Sequence, residues 1–294
     1  MISPVLFGLL NVNKPQGITS RDAVNRVQRL VRGVKVGHAG TLDPLATGVL
    51  VIGLGPATRL VEYVQRLPKR YEATFLLGKT SDTEDIDGQV VELDHPPCPT
   101  QAELEAVLPC FIGVIDQRPP AFSALKVAGQ RAYTLARQGQ PVVLQPRSIT
   151  VHQLTLQSYA YPVLRLSVTC GSGTYIRSLG RDVAQALGTA AVMSALERTA
   201  IGDFCVVEAC GLEDLTPESI AAHLLPARRA VSQLPTVQLT SAETRRLAHG
   251  MAVQNRWQTA GPELAGLDEV GNLVAILTPH GEDAIRPLRN FTGT

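Results

Sequence analysis

A chain of 294 residues with 45% hydrophobic content can bury a sizeable core and build one large domain plus a smaller one, which excludes a disordered or low-complexity protein. The net charge of +1 at pH 7 excludes a uniformly basic nucleic-acid binder. It hides segregation, however: residues 11–37 carry Lys14, Arg21, Arg26, Arg29, Arg32 and Lys35 against Asp22 alone, while in residues 81–94 Asp82, Glu84, Asp85, Asp87, Glu92 and Asp94 stand unopposed. Opposite-sign faces therefore cancel in the sum, and a local basic surface stays open.

In chain order, residues 2–10 are apolar but short, with no basic leader and no small-residue cleavage site, and read as a first strand. Thr19 or Ser20 caps a helix whose apolar positions Val24, Val27, Leu30 and Val31 recur at helical spacing, with Gly33 ending it. Its arginines then lie largely off the buried stripe. Next comes GHAGTLDPLATGVL, residues 37–50, where Gly37, Gly40, Pro44 and Gly48 break any regular period and put His38 and Asp43 on a shaped loop. The apolar run Val49-Leu50-Val51-Ile52 reads as a buried strand that pins this loop. An Asp-Pro pair alone reads as a turn, with Asp43 capping it and Pro44 setting it.

Residues 71–77 read as a strand, and Thr100-x-x-Glu103 is a capping-box signal for a helix with Leu104, Val107 and Leu108. Residues 117–146, rich in Pro, Gly, Gln and basic side chains, read as an excursion outside the core. Residues 163–170 alternate as a strand with one wet face. Gly171-Ser172-Gly173 then turns the chain into a helix carrying Ile176, Leu179, Val183 and Leu187, stopped by Gly188. Thr216-Pro217 opens a short helix, and residues 225–235 read as a linker. In the tail, Thr240-x-x-Glu243 caps a helix ending at Gly250, and residues 273–277 form a strand after a Gly271-Asn272 turn. Strands and helices mix without regular alternation, which points to an α+β fold. No apolar run reaches the roughly 18 residues of a membrane span.

Familiar cofactor motifs fail. Gly53-x-Gly55 follows a strand, but Thr58 stands where a dinucleotide fingerprint needs its third glycine. There is no Walker loop, no H-E-x-x-H and no G-x-S-x-G elbow. The odd set Cys98, Cys110, Cys170, Cys205 and Cys210 contains no C-x-x-C pair, which argues for reduced thiols in a cytosolic protein without structural zinc. Chemistry then rests on Asp, His, Tyr, Arg and Lys, and no cofactor or metal is implied.

Five segments carry a family likeness: NVNKPQGITS (residues 11–20), GHAGTLDPLATGVL, KRYEATFLLG (69–78), PPAFSALKVAGQRAY (119–133) and GTYIRSLGRDVA (173–184). In composition, order and spacing they resemble the signature blocks of the TruB-type tRNA pseudouridine synthases. The tail, with LDEVGNLVAIL, resembles the PUA-type RNA-binding domain of bacterial members. The resemblance implies a mixed, largely antiparallel sheet flanked by helices over residues 1–234, with a thumb-like insertion at about 117–146, and a small β-rich PUA-like domain over 235–294. It implies a cytoplasmic monomer that acts on the T stem-loop and isomerises uridine 55 in the T loop of tRNA without cofactor or metal. A guide-RNA-dependent relative is disfavoured by the insertion and the lack of extended basic tails, and a tRNA-binding chaperone would not need Asp43.

The same resemblance assigns residues. Asp43 aligns with the family's catalytic aspartate; attack on C6, attack on C1′ and removal of a sugar proton all require it ionised. Arg177 lies beside it, and an opposite charge at contact distance favours a carboxylate's ionised form. His38 fills the space the flipped uridine leaves, Tyr71 stacks on the uracil, and Tyr175 and Leu196 line the pocket; by spacing alone Tyr71 and Leu196 read as core. Lys14 belongs to the KPxG turn near the catalytic loop, with a structural role preferred over a catalytic one. Arg59 in ATRL and Lys126 in SALK stand at basic positions suited to phosphate or loop ordering, and Arg131 and Arg137 suit an RNA-gripping flap.

Overall fold

The computed structural model describes residues 6–123, 125–127, 129–140, 144–257 and 261–292. The chain begins with β1 (Gly8–Lys14), α1 (Ser20–Leu30), β2 (Val36–His38), β3 (Thr47–Leu54), α2 (Val61–Arg66) and β4 (Lys69–Leu77). An antiparallel pair, β5 (Lys79–Ser81) and β6 (Val90–Glu92), precedes α3 (Gln101–Val107) and β7 (Gly113–Gln117). The insertion holds a small pair, β8 (Lys126–Val127) and β9 (Gln130–Arg131), and α4 (Ala132–Arg137). Then come β10 (Arg147–Ala160), β11 (Val163–Cys170), α5 (Ile176–Ala186), β12 (Ala191–Ile201), β13 (Phe204–Cys205) and β14 (Cys210–Gly211). The tail contains β15 (Thr236–Gln238), α6 (Ser241–Ala248), β16 (Val253–Gln254), β17 (Leu264–Leu267), β18 (Leu273–Pro279) and β19 (Ala284–Asn290).

The main sheet runs β14-β1-β3-β12-β4-β11-β10-β7, with β13 beside β12 and β2 beside β3. Among the described residues only β1 with β14 and β3 with β12 pair in parallel within this sheet, so it is mixed and largely antiparallel, as expected. A second sheet, β15-β17-β18-β19-β16, is formed by the tail.

Local chemistry accounts for many of these elements. Thr19, Thr100 and Thr240 each accept from the N3 backbone N–H, and Asp22, Glu103 and Glu243 accept from the cap's own N–H, so α1, α3 and α6 start at complete capping boxes. β4 buries every second residue, Lys69, Tyr71, Ala73 and Leu77 among them. α5 lies so close to β4 that a Cβ on Gly180 would overlap the Phe75 ring. That glycine sets the helix down on the sheet and brings the first turn of α5 over the loop before β3.

The structure corrects several expectations. The first strand starts at Gly8 and runs on to Lys14, and residues 2–5 lie outside the described residues. His38 is not in the loop but ends β2, paired with Ile52. Gly48 does not break β3; it lies inside the strand at φ +97°, where a Cβ would overlap the Arg198 backbone. Thr216-Pro217 opens a series of turns, not a helix, although the Thr216 hydroxyl accepts from the Ser219 N–H as a helix cap would. Residues 225–235 are no loose linker: Leu225 bridges to Leu9, and Ala227, Ala230 and Val231 are buried in a core shared by both sheets.

Candidate active site

The loop between β2 and β3 is held from below at several backbone positions. Leu42 and Leu45, each 3% exposed, are buried in the same core cluster as Tyr71 and Leu196, so the loop is anchored on both sides of Asp43. The Ser20 hydroxyl at the start of α1 donates to Leu42 O at 3.1 Å and accepts from Leu42 N–H at 2.8 Å. The Gly17 N–H donates to Pro44 O at 2.8 Å, and the Lys14 ammonium donates to Pro15 O and Ile18 O at 2.8 Å and to Pro44 O at 3.5 Å. Arg198 donates through Nε to Val49 O at 2.7 Å and through Nη2 to Gly40 O at 3.2 Å. With its flanks fixed, the Asp43 side chain remains 36% exposed.

Above the loop stands Arg177, in the first turn of α5 and almost wholly buried. A cation at this end opposes the helix dipole, and two carboxylates offset it: Arg177 Nε meets Asp43 Oδ2 at 3.0 Å and Nη1 meets Asp85 Oδ2 at 3.4 Å. The guanidinium also donates to Thr83 O at 2.6 Å and to Phe122 O at 3.1 Å. It thus ties the loop, the acidic segment and the base of the insertion together. Asp85 Oδ1 is in turn satisfied by the Thr83 hydroxyl at 2.5 Å and the Asp87 N–H at 3.1 Å.

Tyr71 is buried beneath this pair. Burial pushes its phenol up, while the charge and hydrogen bond of Arg198 oppose the shift. Leu196 shares its core cluster. Tyr175 is half-buried as the residue before α5, and its backbone exchanges two bonds with the Gln117 side chain, at 2.8 and 3.1 Å; burial raises its phenol too. His38 is half-buried, and its pKa is lowered mainly by burial, with a backbone hydrogen bond at Gly40 opposing the shift and the charges of Arg21 and Arg198 adding to it, which favours the neutral imidazole.

Asp43, Arg177, Tyr71, His38, Tyr175 and Leu196 therefore gather around one loop. Two expected substrate contacts are placed otherwise. Lys14 is fully buried, and burial pulls its ammonium down to about 8 against the opposing pull of Asp43; it orders the loop from inside. Arg59 stands at the joint with the tail, donating to Asn290 O at 2.8 Å and lying over the Phe291 ring. The Lys126 and Arg131 side chains lie outside what the structure describes, and Arg137 lies over the Tyr133 ring.

Sequence reasoning missed Arg198, Ser20 and Asp85. The acids of residues 81–94 looked unopposed, yet in space Asp85 meets Arg177, Glu84 meets Arg181 and the Ser178 hydroxyl, and Glu92 meets Lys79. An arginine in the first turn of a helix, where the dipole disfavours it, was the signal that carboxylates had to come from elsewhere.

Comparison with known proteins adds to this geometry. Residues 28–176 match the model of the TruB family pseudouridylate synthase N-terminal domain. The chain is 40% identical to tRNA pseudouridine synthase B of Thermobifida fusca, covering 98% of this chain and 99% of the relative. It is 38% identical to the protein of that name from Rhodopirellula baltica, over 98% and 95% of the two chains. Among solved structures, a chain in a Cbf5-Nop10-Gar1 complex matches with TM-score 0.75 at 25% identity, over 98% of this chain and 85% of that one. One in an H/ACA RNP bound to a substrate RNA containing 2′-deoxyuridine matches with TM-score 0.75 at 23% identity, over 98% and 86%, a likeness of fold.

Proposed function

The chain belongs to the TruB family of pseudouridylate synthases, and on that premise we propose that it isomerises a uridine of tRNA to pseudouridine, the uridine being number 55 in the T loop. The observation that carries the reading is the Asp43–Arg177 ion pair, 3.0 Å long, on a loop whose backbone is fastened on both sides of the aspartate. In the reaction the C1′–N1 bond breaks, the uracil turns, and a C1′–C5 bond forms. C5 loses its hydrogen to solvent and N1 takes a proton, with no net redox change and no group brought from outside. A single ionised carboxylate, held still against the sugar and base, suffices.

Reaching that bond requires the uridine to leave its stack, at a cost of a few kcal/mol. Stacking on an aromatic face returns about 1–3 kcal/mol. Tyr71 supplies that face, Tyr175 and Leu196 line the pocket, and the neutral ring of His38 takes the place the base has left. Arg177 keeps Asp43 oriented while its Nη2 holds the base of the insertion, so the part that closes on the RNA is joined to the part that reacts. Residues 1–234 would carry catalysis and 235–294 would act as a PUA-type RNA-binding domain, in a cytoplasmic monomer that acts on the T stem-loop with neither metal nor cofactor.

The test is tritium release from tRNA transcript labelled with uridine-5-³H, comparing wild type and Asp43→Asn at matched tRNA occupancy. The wild type should release tritium and the variant should lose at least about 10³-fold in rate with binding retained. Tight binding by the wild type without release would refute the isomerase reading and leave a protein that only holds the loop.

A further inference from the structure

The solvent face of α1 carries a row of cations that no acid among the described residues pairs. Arg21, Arg26 and Arg29 are exposed, as are Arg32 and Lys35 beyond the helix end. At 100° per residue Arg21 and Arg29 fall within about a quarter turn of one another with Arg26 beside Arg29, on the side opposite the buried Ala23, Val24 and Val27, and Arg32 follows in the turn after the helix. Among the described residues none of the five makes an ion pair. The one acid of the helix, Asp22, is spent on the cap, bonded to the Thr19 N–H at 3.0 Å and its hydroxyl at 2.6 Å.

Two other helices, α2 and α5, pair arginines with acids, whereas Arg245 and Arg246 of α6 make no ion pair among the described residues. In α2 Arg66 pairs with Glu62 at 3.6 Å, and in α5 Arg181 pairs with Asp182 at 2.8 Å and with Glu84. On α1 the spacing from Arg26 to Arg29 sets like charges one turn apart, an arrangement that weakens an isolated helix. An ordinary solvated face would mix signs. This one is also continuous with the site: Ser20, at the start of α1, holds Leu42 of the catalytic loop, and Arg21 is close enough to His38 for its charge to bear on the imidazole.

From this face, and resting on the reading that an RNA loop enters at Asp43, we infer that α1 is a docking surface for the phosphates of the duplex stem that carries that loop. The row from Arg21 to Arg29 is about 12 Å long at 1.5 Å per residue, and Arg32 extends it past the helix end, enough to follow successive phosphates of one strand. It starts at the mouth of the site and leads away from it, as a stem leads away from its loop. Contacts of this kind set register and carry no base identity, so α1 would fix how far the stem lies from Asp43 whatever its sequence.

The experiment measures binding of target tRNA and of a stemless loop oligonucleotide over a series of salt concentrations. It compares wild type with the Arg21→Gln/Arg26→Gln/Arg29→Gln/Arg32→Gln variant, whose fold is checked by circular dichroism. For tRNA the slope of log affinity against log salt should become shallower by about three, with affinity near 0.15 M salt down roughly 30-fold or more. The loop oligonucleotide should change by less than about threefold, since it has no stem to lose. Arg29→Gln alone, the fallback should the quadruple variant misfold, should reduce the slope by about one. An unchanged slope on tRNA, or an equal loss on the stemless loop, would overturn the proposal. Tritium release by the wild type in the same series separates the two readings: release with an unchanged slope removes only the docking surface, and a changed slope without release removes only the isomerase.

Discussion

The catalytic loop is held from two sides by different chemistry. Beneath it Lys14, Ser20 and Arg198 bond to backbone groups, at Pro44, Leu42, Gly40 and Val49. Above it Arg177 meets the carboxylates of Asp43 and Asp85 and two further carbonyls. A cation bonded to carbonyls fixes where the chain runs; one bonded to carboxylates fixes where charge sits. The floor therefore belongs chiefly to stability and placement, and the roof chiefly to reaction.

That division can be broken most sharply at the roof. Arg177→Lys keeps a positive charge but loses the planar fork that serves Asp43, Asp85, Thr83 and Phe122 together. Tritium release at saturating tRNA should slow roughly 10²–10³-fold, while the melting temperature falls only by a few degrees. A rate within about threefold of wild type would sink the idea that this fork orients Asp43.

At the floor the balance should invert. Arg198→Met leaves the buried Val49 and Gly40 carbonyls without their donors, at about 1–3 kcal/mol each, and leaves no buried carboxylate exposed to repulsion. Denaturant unfolding should show a loss of roughly 2–4 kcal/mol, with release slowed about tenfold because Asp43 and Tyr71 both shift. Wild-type stability together with a large rate loss would assign Arg198 to the roof's kind of role.

A further effect is one of pH. Lys14 and Lys69 both have their ammonium pulled by burial from 10.5 to about 8. Between those values the unfolded lysine holds a proton that the folded one has released, so each residue makes the protein more stable as pH rises through that window, by about 1.4 kcal/mol per pH unit. Lys14→Met should remove Lys14's share of that rise and leave that of Lys69. An unaltered slope in denaturant unfolding from pH 8 to 10 would show that Lys14 does not titrate there.

Much of this arrangement was legible in the sequence where the signals were local. The three capping boxes needed only a threonine and an acid three residues on, and the apolar spacing of α1 and α5 needed only a few turns of helix. Asp43 and Arg177 came from matched segments and proved to be in contact. What stayed hidden depends on distant pairing. β12, AVMSALERTAI, is rich in good helix formers, yet it lies between β3 and β4 because each offers it a strand edge. Arg198 on that strand reads as a solvent-facing residue until its partners, about 150 positions away, come round beneath it. Gly48 reads as a breaker for the same reason: only the neighbouring Arg198 backbone shows why a side chain has no room there.

The core shared by the two sheets has a consequence for how the molecule comes apart. Ala57, Leu60, Tyr63 and Val64 of the larger part pack in one cluster with Ala265, Leu273, Ile276 and Phe291 of the tail, and Phe7 stacks on Phe291 with ring centres 5.3 Å apart. Cutting the chain before β15 would open the middle of a common interior to water, and the remainder would carry a wound of apolar surface prone to self-association. The tail is thereby a keystone as well as an appendage, and a shared interior of this kind should make the two sheets melt together.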